Sequence, residues 1–238
     1  MPEPDLFESE NSVLAYAKAV LCDVTAGEDA YRRTLGHLIS HYERLMRETR
    51  RLIQRSDREE LEMNRLNHRL KELAQELEYR ATHDTLTGAL NRAAVIDRAT
   101  EVLAHGNLAL IVLDIDHFKH LNDDFGHPVG DTVICEVTAC LSDTVGTEGT
   151  IGRLGGEEFA ALVPSLTLDD AIGLAERIRC AIACHCFPSP VNRQVTASFG
   201  VSWSPQGRTF EHAYVRADTA LYEAKRGGRN RVMHALSG

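Results

Sequence analysis

The sequence lacks the features of secreted, membrane-spanning and nucleic-acid-binding proteins. None of its six cysteines forms a Cys-x-x-Cys pair, so we expect reduced structural cysteines in a cytoplasmic protein. No apolar run approaches the roughly 20 residues of a membrane span, and the acidic N-terminus has no basic start or apolar core of a signal peptide. The formal net charge of −9 argues against a broad basic surface for nucleic acid.

Proline is also absent from a long stretch in the first third of the chain, between Tyr31 and Leu77. Apolar residues recur there at alternating spacings of four and three, which is typical of a coiled coil. With no proline to interrupt it, the segment can form one continuous helix. We therefore predict a coiled-coil stalk over residues 28–80 and a homodimer formed through residues 31–77.

A shorter amphipathic helix is predicted over residues 10–22, within an N-terminal segment of residues 1–27. Further apolar residues widen the stripe in the first half of the stalk beyond what a two-stranded coil needs; they are Ile39, Met46 and Ile53. That half could therefore pack against the first helix, form a four-helix bundle in a dimer, or receive another protein.

The middle of the heptad seam contains three polar residues, Thr49, Ser56 and Glu59. Such residues pack poorly in a coiled-coil core. They either fix the register of the coil or leave the seam marginal, so that a signal or a partner can adjust it.

The remaining residues, 81–238, predict one α/β domain of the α+β kind. Strands are predicted at residues 108–113, 150–151, 159–163, 195–203 and 231–235. Helices are predicted at residues 89–103, 129–141, 167–183 and 212–226. This mixed order indicates a mostly antiparallel sheet with helices packed on it.

Two acidic clusters lie where a sheet normally carries apolar residues. Asp114 and Asp116 follow the apolar run of residues 108–113, and Glu157 and Glu158 follow a Gly-Gly turn. Acids at the end of a buried strand are costly unless they are paired or bound to a metal. A buried salt bridge and a solvated hairpin tip are the simpler interpretations. Two clusters together favour a shared site for a metal and a nucleotide.

Five blocks of residues connect these clusters to a known family. They are Asp84-x-Leu86-Thr87-Gly88-x-x-Asn91-Arg92, Asp114-Ile115-Asp116-His117-Phe118-Lys119-x-x-Asn122-Asp123, Phe125-Gly126-His127-x-x-Gly130-Asp131, Gly155-Gly156-Glu157-Glu158-Phe159 and Ala217-Asp218-x-Ala220-Leu221-Tyr222-x-Ala224-Lys225-x-x-Gly228-Arg229-Asn230. In these blocks, residues 81–235 resemble the GGDEF domain of diguanylate cyclases. The resemblance implies a palm-like fold and the conversion of two GTP to cyclic di-GMP and two pyrophosphate.

The resemblance also implies a metal site and a catalytic turn. Mg²⁺ or Mn²⁺ would be held by Asp114, the carbonyl group of Ile115 and Glu158. Glu157 would assist the metal or deprotonate the attacking 3′-hydroxyl group. Asp116 could share the metals. The turn itself is formed by Gly155 and Gly156.

Substrate contacts are implied in the same way. The backbone at His117 and Phe118 would cradle phosphates, and Lys119 would stabilise charge in the transition state. The triphosphate would be gripped by Lys225 and Arg229, one helical turn apart; such a pair could also merely complement a helix dipole. Guanine presents N1–H and N2–H donors, which would meet Asp131 with Asn122 beside it.

Two departures from the family pattern matter. The family's product-inhibition site is an Arg-x-x-Asp sequence, whereas residues 146–149 read Gly-Thr-Glu-Gly. We therefore expect no strong feedback through that site. Glu157 replaces the family's aspartate, a variant that also occurs among active members.

Because each domain would hold one GTP, the reaction requires two domains face to face, and the stalk would bring them together. The sequence has no recognisable sensor domain, and it resembles cyclases that are switched by a separate small protein, such as the SiaD type. The alternative is an inactive scaffold that binds GTP or cyclic di-GMP and acts through its helical N-terminus. The presence of every metal acid and of the Gly-Gly pair favours the enzyme.

Overall fold

The computed structural model describes residues 8–235. Contacts along the chain define two compact units, one up to Ala74 and one from Gln75. In the first unit, helix α1 (Glu8–Cys22) is joined to helix α2 (Glu28–Thr82) by a salt bridge of 3.0 Å between Arg44 Nη2 and Glu10 Oε1. Helix α2 is continuous for 55 residues, as the absence of proline predicts.

Apolar side chains remain exposed along α2. Leu35, Tyr42, Leu52 and Leu70, all in the heptad seam, are each more than half exposed, and Thr34 is the one buried residue of this helix. A cleft of about 320 Å³ between α1 and the start of α2 is also lined mainly by apolar residues. The first unit therefore leaves its seam uncovered.

The second unit contains a five-stranded sheet with helices on both faces. The strands are β1 (Leu108–Ile115), β2 (Thr150–Gly155), β3 (Glu158–Pro164), β4 (Ala197–Ser204) and β5 (Val232–His234). The helices are α3 (Arg92–His105), α4 (Phe118–Phe125), α5 (His127–Val145), α6 (Leu168–Cys184) and α7 (Phe210–Arg226). The strand order is β2-β3-β1-β4-β5, and every pair is antiparallel except β4–β5. The predicted mostly antiparallel α+β fold is confirmed.

Strand β1 lies at the centre of the sheet and all eight of its residues are buried. Its even-numbered apolar residues, such as Leu110 and Val112, belong to the core shared with α3 and α7, whereas Ile111 and Leu113 belong to the core shared with α5 and α6. This alternation follows from the two-residue period of a strand. It explains why residues 108–113 of β1 are apolar without interruption.

Helix α7 approaches the sheet closely at Gly200 of β4. A Cβ atom at this position would overlap the carbonyl oxygen of Ala217 and the backbone nitrogen of Leu221. Only glycine allows this close approach of α7 to the middle of β4.

Candidate active site

The two acidic clusters meet where β1 and β3 pair. Asp114 lies directly opposite Glu158 in the antiparallel register, and the backbone N–H of Ile115 donates to the carbonyl oxygen of Glu157 at 3.3 Å. The intervening turn contains Gly156 with a φ of 49°, a left-handed conformation that favours glycine. The fold therefore brings together four acidic and backbone groups that are far apart in the sequence.

The ammonium group of a lysine lies beside Asp114. The Nζ atom of Lys225 is 2.8 Å from Asp114 Oδ2. Burial raises the pKa of Asp114 to about 6, although Lys225 lowers it, and the negative charges of Glu157 and Glu158 raise it further. The main reason that the ionised form of Asp114 is disfavoured is therefore its removal from water.

Arg153 holds the Gly-Gly turn through side-chain hydrogen bonds. Its Nε and Nη2 atoms donate to the carbonyl oxygen of Gly156 at 2.9 and 2.8 Å, and its Nη1 atom donates to Asp84 Oδ1 at 3.0 Å. Burial alone would raise the pKa of Asp84, but hydrogen bonds from Thr87 and Arg153 outweigh it and lower this pKa. No role was predicted for Arg153 from the sequence, although its position two residues before the Gly-Gly pair could have indicated one.

The predicted base-binding residues lie on α4 and α5. Asn122 belongs to α4 and Asp131 follows Gly130 in the first turns of α5. The Oδ1 atom of Asn122 is buried and, among residues 8–235, has no hydrogen-bond partner. A Cβ atom at position 130 would overlap this oxygen, so glycine leaves room for it. Such an unpaired buried acceptor is rare and suits a ligand that donates an N–H group.

The predicted phosphate-binding residues are divided between two helix ends. His117 has left-handed backbone angles (φ 58°, ψ 26°) before α4, which begins with Phe118 and Lys119. Lys225 lies in the last turn of α7. Arg229 was expected one helical turn after Lys225. In the structure, however, α7 ends at Arg226, and Arg229 lies in the turn beyond it with a φ of 64°.

The carboxylate of Asp116 is hydrogen-bonded to groups outside the two acidic clusters. It accepts hydrogen bonds from Ser198 Oγ at 2.7 Å, from Thr196 Oγ1 at 2.8 Å and from the backbone N–H of Asn230 at 3.0 Å. These donors use both carboxylate oxygens. The suggestion that Asp116 shares a metal therefore finds no support in its contacts.

The donor atoms at the end of β1 fit a hard divalent cation in kind. They are carboxylate oxygens of Asp114 and Glu158 and a backbone carbonyl, the ligands that Mg²⁺ prefers, and burial is the main cause of the raised pKa of Asp114, with smaller contributions from Glu157 and Glu158. Within the described part of the chain, however, no three His, Cys, Asp or Glu side chains are grouped closely enough to hold a metal by themselves. In this structure, the positive charge next to Asp114 is the ammonium group of Lys225.

Comparison with known proteins agrees with this arrangement. Residues 81–231 match the family described as "Diguanylate cyclase, GGDEF domain". The chain belongs to the GGDEF domain family. This GGDEF chain is 42% identical to diguanylate cyclase DgcP of Pseudomonas aeruginosa over 161 residues, which are 64% of this chain and 24% of DgcP. It is 39% identical to DgcM of Escherichia coli over 171 residues, 69% of this chain and 41% of DgcM. It thus spans less than half of either relative.

Solved GGDEF structures are also similar. The coiled coil and GGDEF domain of DgcB from Caulobacter crescentus, in complex with c-di-GMP, superposes with a TM-score of 0.69 at 32% identity, covering 73% of this chain and 96% of DgcB. Diguanylate cyclase SiaD from Pseudomonas aeruginosa, in complex with its activator SiaC, gives a TM-score of 0.64 at 28% identity, covering 95% of this chain and 99% of SiaD. The predicted family is confirmed. No helix among residues 8–235 combines the length and apolar character needed to cross a membrane.

Proposed function

We propose that this GGDEF protein is a diguanylate cyclase that joins two GTP molecules into cyclic di-GMP and releases two pyrophosphate. The observation that carries the proposal is the pairing of Asp114 with Glu158 at the end of β1, with Lys225 Nζ 2.8 Å from Asp114. Phosphoryl transfer needs acids that hold a cation and bases that neutralise phosphate charge at one place. The similarity to DgcP and DgcM supports the same activity.

Asp114, the carbonyl group of Ile115, Glu158 and Glu157 would hold Mg²⁺ or Mn²⁺. When bound, the cation supplies positive charge at the phosphate oxygens and at the attacking hydroxyl group. To admit it, Lys225 would move from Asp114 toward the phosphates, where an ammonium group is equally well paired.

The remaining site residues have separate roles. Glu157 would accept the proton of the 3′-hydroxyl group, because it precedes Glu158 and lies near enough to Asp114 for its charge to act on that carboxylate. Lys119, at the start of α4, would stabilise charge that develops during transfer. The backbone at His117 and Phe118 and the side chains of Lys225 and Arg229 would bind the triphosphate.

Base choice would depend on Asn122 and Asp131. The unpaired Oδ1 atom of Asn122 supports this assignment, since guanine N2–H would satisfy it. Asp131 would accept from N1–H and N2–H. Adenine has an acceptor at N1 and would leave these oxygens unpaired, and a site of this kind can discriminate by about 10⁴.

Two copies of the chain would be needed, because each domain would hold one GTP. The exposed seam of α2 supports a homodimer through residues 31–77. A tether of this kind raises the effective concentration of the two domains into about the millimolar range.

Feedback through the family's Arg-x-x-Asp site is expected to be absent. Gly146 has a φ of 52°, which strains an arginine. A Cβ atom at Gly149 would lie 2.6 Å from the carbonyl oxygen of Leu162, so an aspartate does not fit without a backbone shift. The local fold at both positions therefore supports glycine and not the inhibitory pair.

A small regulatory protein is the proposed partner of α1 and the first half of α2. The apolar cleft between these helices and the exposed residues Ile39 and Met46 support a protein ligand there. SiaD, which is similar over 95% of this chain, was solved with its activator SiaC. The expected partner is therefore a small protein with an apolar surface, and Ile39→Arg should abolish its binding.

The test of the activity is incubation of the purified chain with GTP and Mg²⁺, followed by chromatographic separation of the nucleotides. The wild type should form cyclic di-GMP, and the Glu157→Ala/Glu158→Ala variant should form none. Asp143→Ala, an exposed change on α5, serves as the control and should retain activity. Binding of GTP without product by the wild type would favour the inactive scaffold.

A further inference from the structure

We propose that Asp116 is a positioning residue that holds the turn carrying Arg229, and that it does not act as a metal ligand. The inference rests on the proposed function, in which Arg229 and Lys225 bind the triphosphate. Asp116 lies two residues beyond Asp114 and is 9% exposed. Its contacts nevertheless lead away from the metal site.

The carboxylate of Asp116 joins two distant parts of the chain. Its Oδ1 atom accepts from Ser198 Oγ of β4. Its Oδ2 atom accepts from Thr196 Oγ1, just before β4, and from the backbone N–H of Asn230, 114 residues away. The backbone N–H of Asp116 also donates to the carbonyl oxygen of Thr196 at 2.8 Å. The side chain therefore ties the turn after α7 to the sheet.

That turn has a conformation that needs outside support. Gly228, Arg229 and Asn230 have φ values of 113°, 64° and 43°. Residues other than glycine rarely adopt such angles, and they persist only where surrounding contacts impose them. Besides Asp116, the turn is held by Arg179, whose Nη1 atom donates to Asn230 Oδ1 at 3.0 Å.

Asp114 of β1 and Asp116, just beyond the end of this strand, thus hold opposite ends of one short segment. Asp114 contacts the side chain of Lys225 at 2.8 Å, and Asp116 contacts the backbone of Asn230. Arg229 lies between them and donates its N–H to the carbonyl oxygen of Ala224 at 3.0 Å. Fixing both ends orients the backbone from which Arg229 projects.

Two substitutions of Asp116 distinguish positioning from metal binding. In Asp116→Asn, the amide oxygen can still accept from Thr196 and Asn230, and the amide nitrogen can donate to the Ser198 hydroxyl group, which also accepts. In Asp116→Ala, all three bonds are lost. A carboxylate binds Mg²⁺ far more tightly than a neutral amide, so a metal-binding role makes the two variants about equally harmful.

The test measures binding of 3′-deoxy-GTP and GMP to the full chain by calorimetry with Mg²⁺. The 3′-deoxy compound cannot be joined, and GMP lacks the phosphates that Arg229 would contact. Asp116→Ala should weaken 3′-deoxy-GTP binding by about tenfold or more, and Asp116→Asn by less than about threefold. The affinity for GMP should be the same for the wild type and for both Asp116 variants.

Ser198→Ala is the matched control, because it removes a bond to the same carboxylate without releasing Asn230; 3′-deoxy-GTP affinity should change little. Thermal denaturation establishes that each variant is folded. If Asp116→Ala does not fold, Arg179→Ala removes the second support of the turn and should weaken 3′-deoxy-GTP by about threefold with GMP unchanged.

Equal losses for the Asn and Ala variants, or parallel losses for GMP and 3′-deoxy-GTP in a folded variant, would overturn the positioning role alone. Should Asp116→Ala be unfolded, unchanged 3′-deoxy-GTP binding by Arg179→Ala would overturn it as well. Failure of the wild type to bind 3′-deoxy-GTP would instead overturn the proposed function together with this inference.

Discussion

Strand β1 and helix α2 use apolar residues in opposite ways. All eight residues of β1 are buried between two layers of helices, whereas α2 buries one residue of 55 and leaves leucines of its heptad seam exposed. The sheet unit completes its own core, while the stalk leaves an apolar seam exposed. The proposed assembly therefore depends on a different segment from the one that forms the core of the sheet unit.

The largest expected effect is that one substitution in the sheet unit lowers activity and raises stability. Asp114→Asn should lower turnover by about a thousandfold or more, since it removes a carboxylate that we propose as a metal ligand. It should also stabilise the fold at pH 7.5 by about 3 kcal/mol, because the pKa of Asp114 is raised from 3.8 to about 6 and one unit corresponds to about 1.4 kcal/mol.

The sign of this stabilisation depends on pH. A carboxyl group with a raised folded pKa carries no cost below about pH 4; the cost develops as the pH rises from about 4 to about 6 and is complete above. Urea denaturation at pH 7.5 and at pH 3.5 measures it, with Asp143→Asn as the exposed control. A variant less stable than the wild type at pH 7.5 would contradict the role of burial.

Base choice is the second expected effect. Asp131→Ser should reduce the preference for GTP over ATP by about a hundredfold or more, because the serine hydroxyl group serves either base. Competition between the two nucleotides, with product analysis, measures the ratio. Thr132→Ala, the exposed neighbour on α5, should leave it unchanged. An unaltered ratio in Asp131→Ser would remove Asp131 from base recognition.

The stalk provides the third test. Leu66→Lys/Leu70→Lys places charges in the exposed seam and should reduce turnover at micromolar chain by about a hundredfold, because the tether is lost. Activity should recover as chain concentration rises, and the sheet unit should melt unchanged. Asn64→Lys/Gln75→Lys adds the same charge outside the seam and should have little effect. Unchanged turnover in the seam variant would show that α2 does not join the domains.

The smallest effect concerns feedback. Initial rates of cyclic di-GMP synthesis should not fall when low micromolar product is added, since residues 146–149 lack the inhibitory pair. Strong inhibition that is not competitive with GTP would contradict this expectation and locate a product site elsewhere.

The sequence predicted features that depend on local pattern and missed those that depend on distant contacts. The proline-free heptads specified α2, and an uninterrupted apolar run specified β1. The pairing of Asp114 with Glu158 could be expected because the motif blocks were complete. Helix α4 was not among the predicted elements, since its eight residues are too few for a periodic signal.

Two contacts could not be read from local pattern at all. Arg153 reaches Asp84 across 69 positions, and Asp116 reaches Asn230 across 114. Both form only when segments that are distant in the sequence meet in the folded chain. The end of α7 at Arg226 was predicted correctly, whereas the left-handed backbone of Arg229 beyond it was not, because no local pattern indicates the contact of Asn230 with the carboxylate of Asp116.

The most direct test of the central claim is the stoichiometry of the reaction, followed by phosphorus NMR with purified full chain, GTP and Mg²⁺. We expect two pyrophosphate for every cyclic di-GMP, with a rate that rises as the square of chain concentration in Leu66→Lys/Leu70→Lys. Loss of GTP without cyclic di-GMP, or GTP that remains bound and unchanged at high chain concentration, would contradict the account.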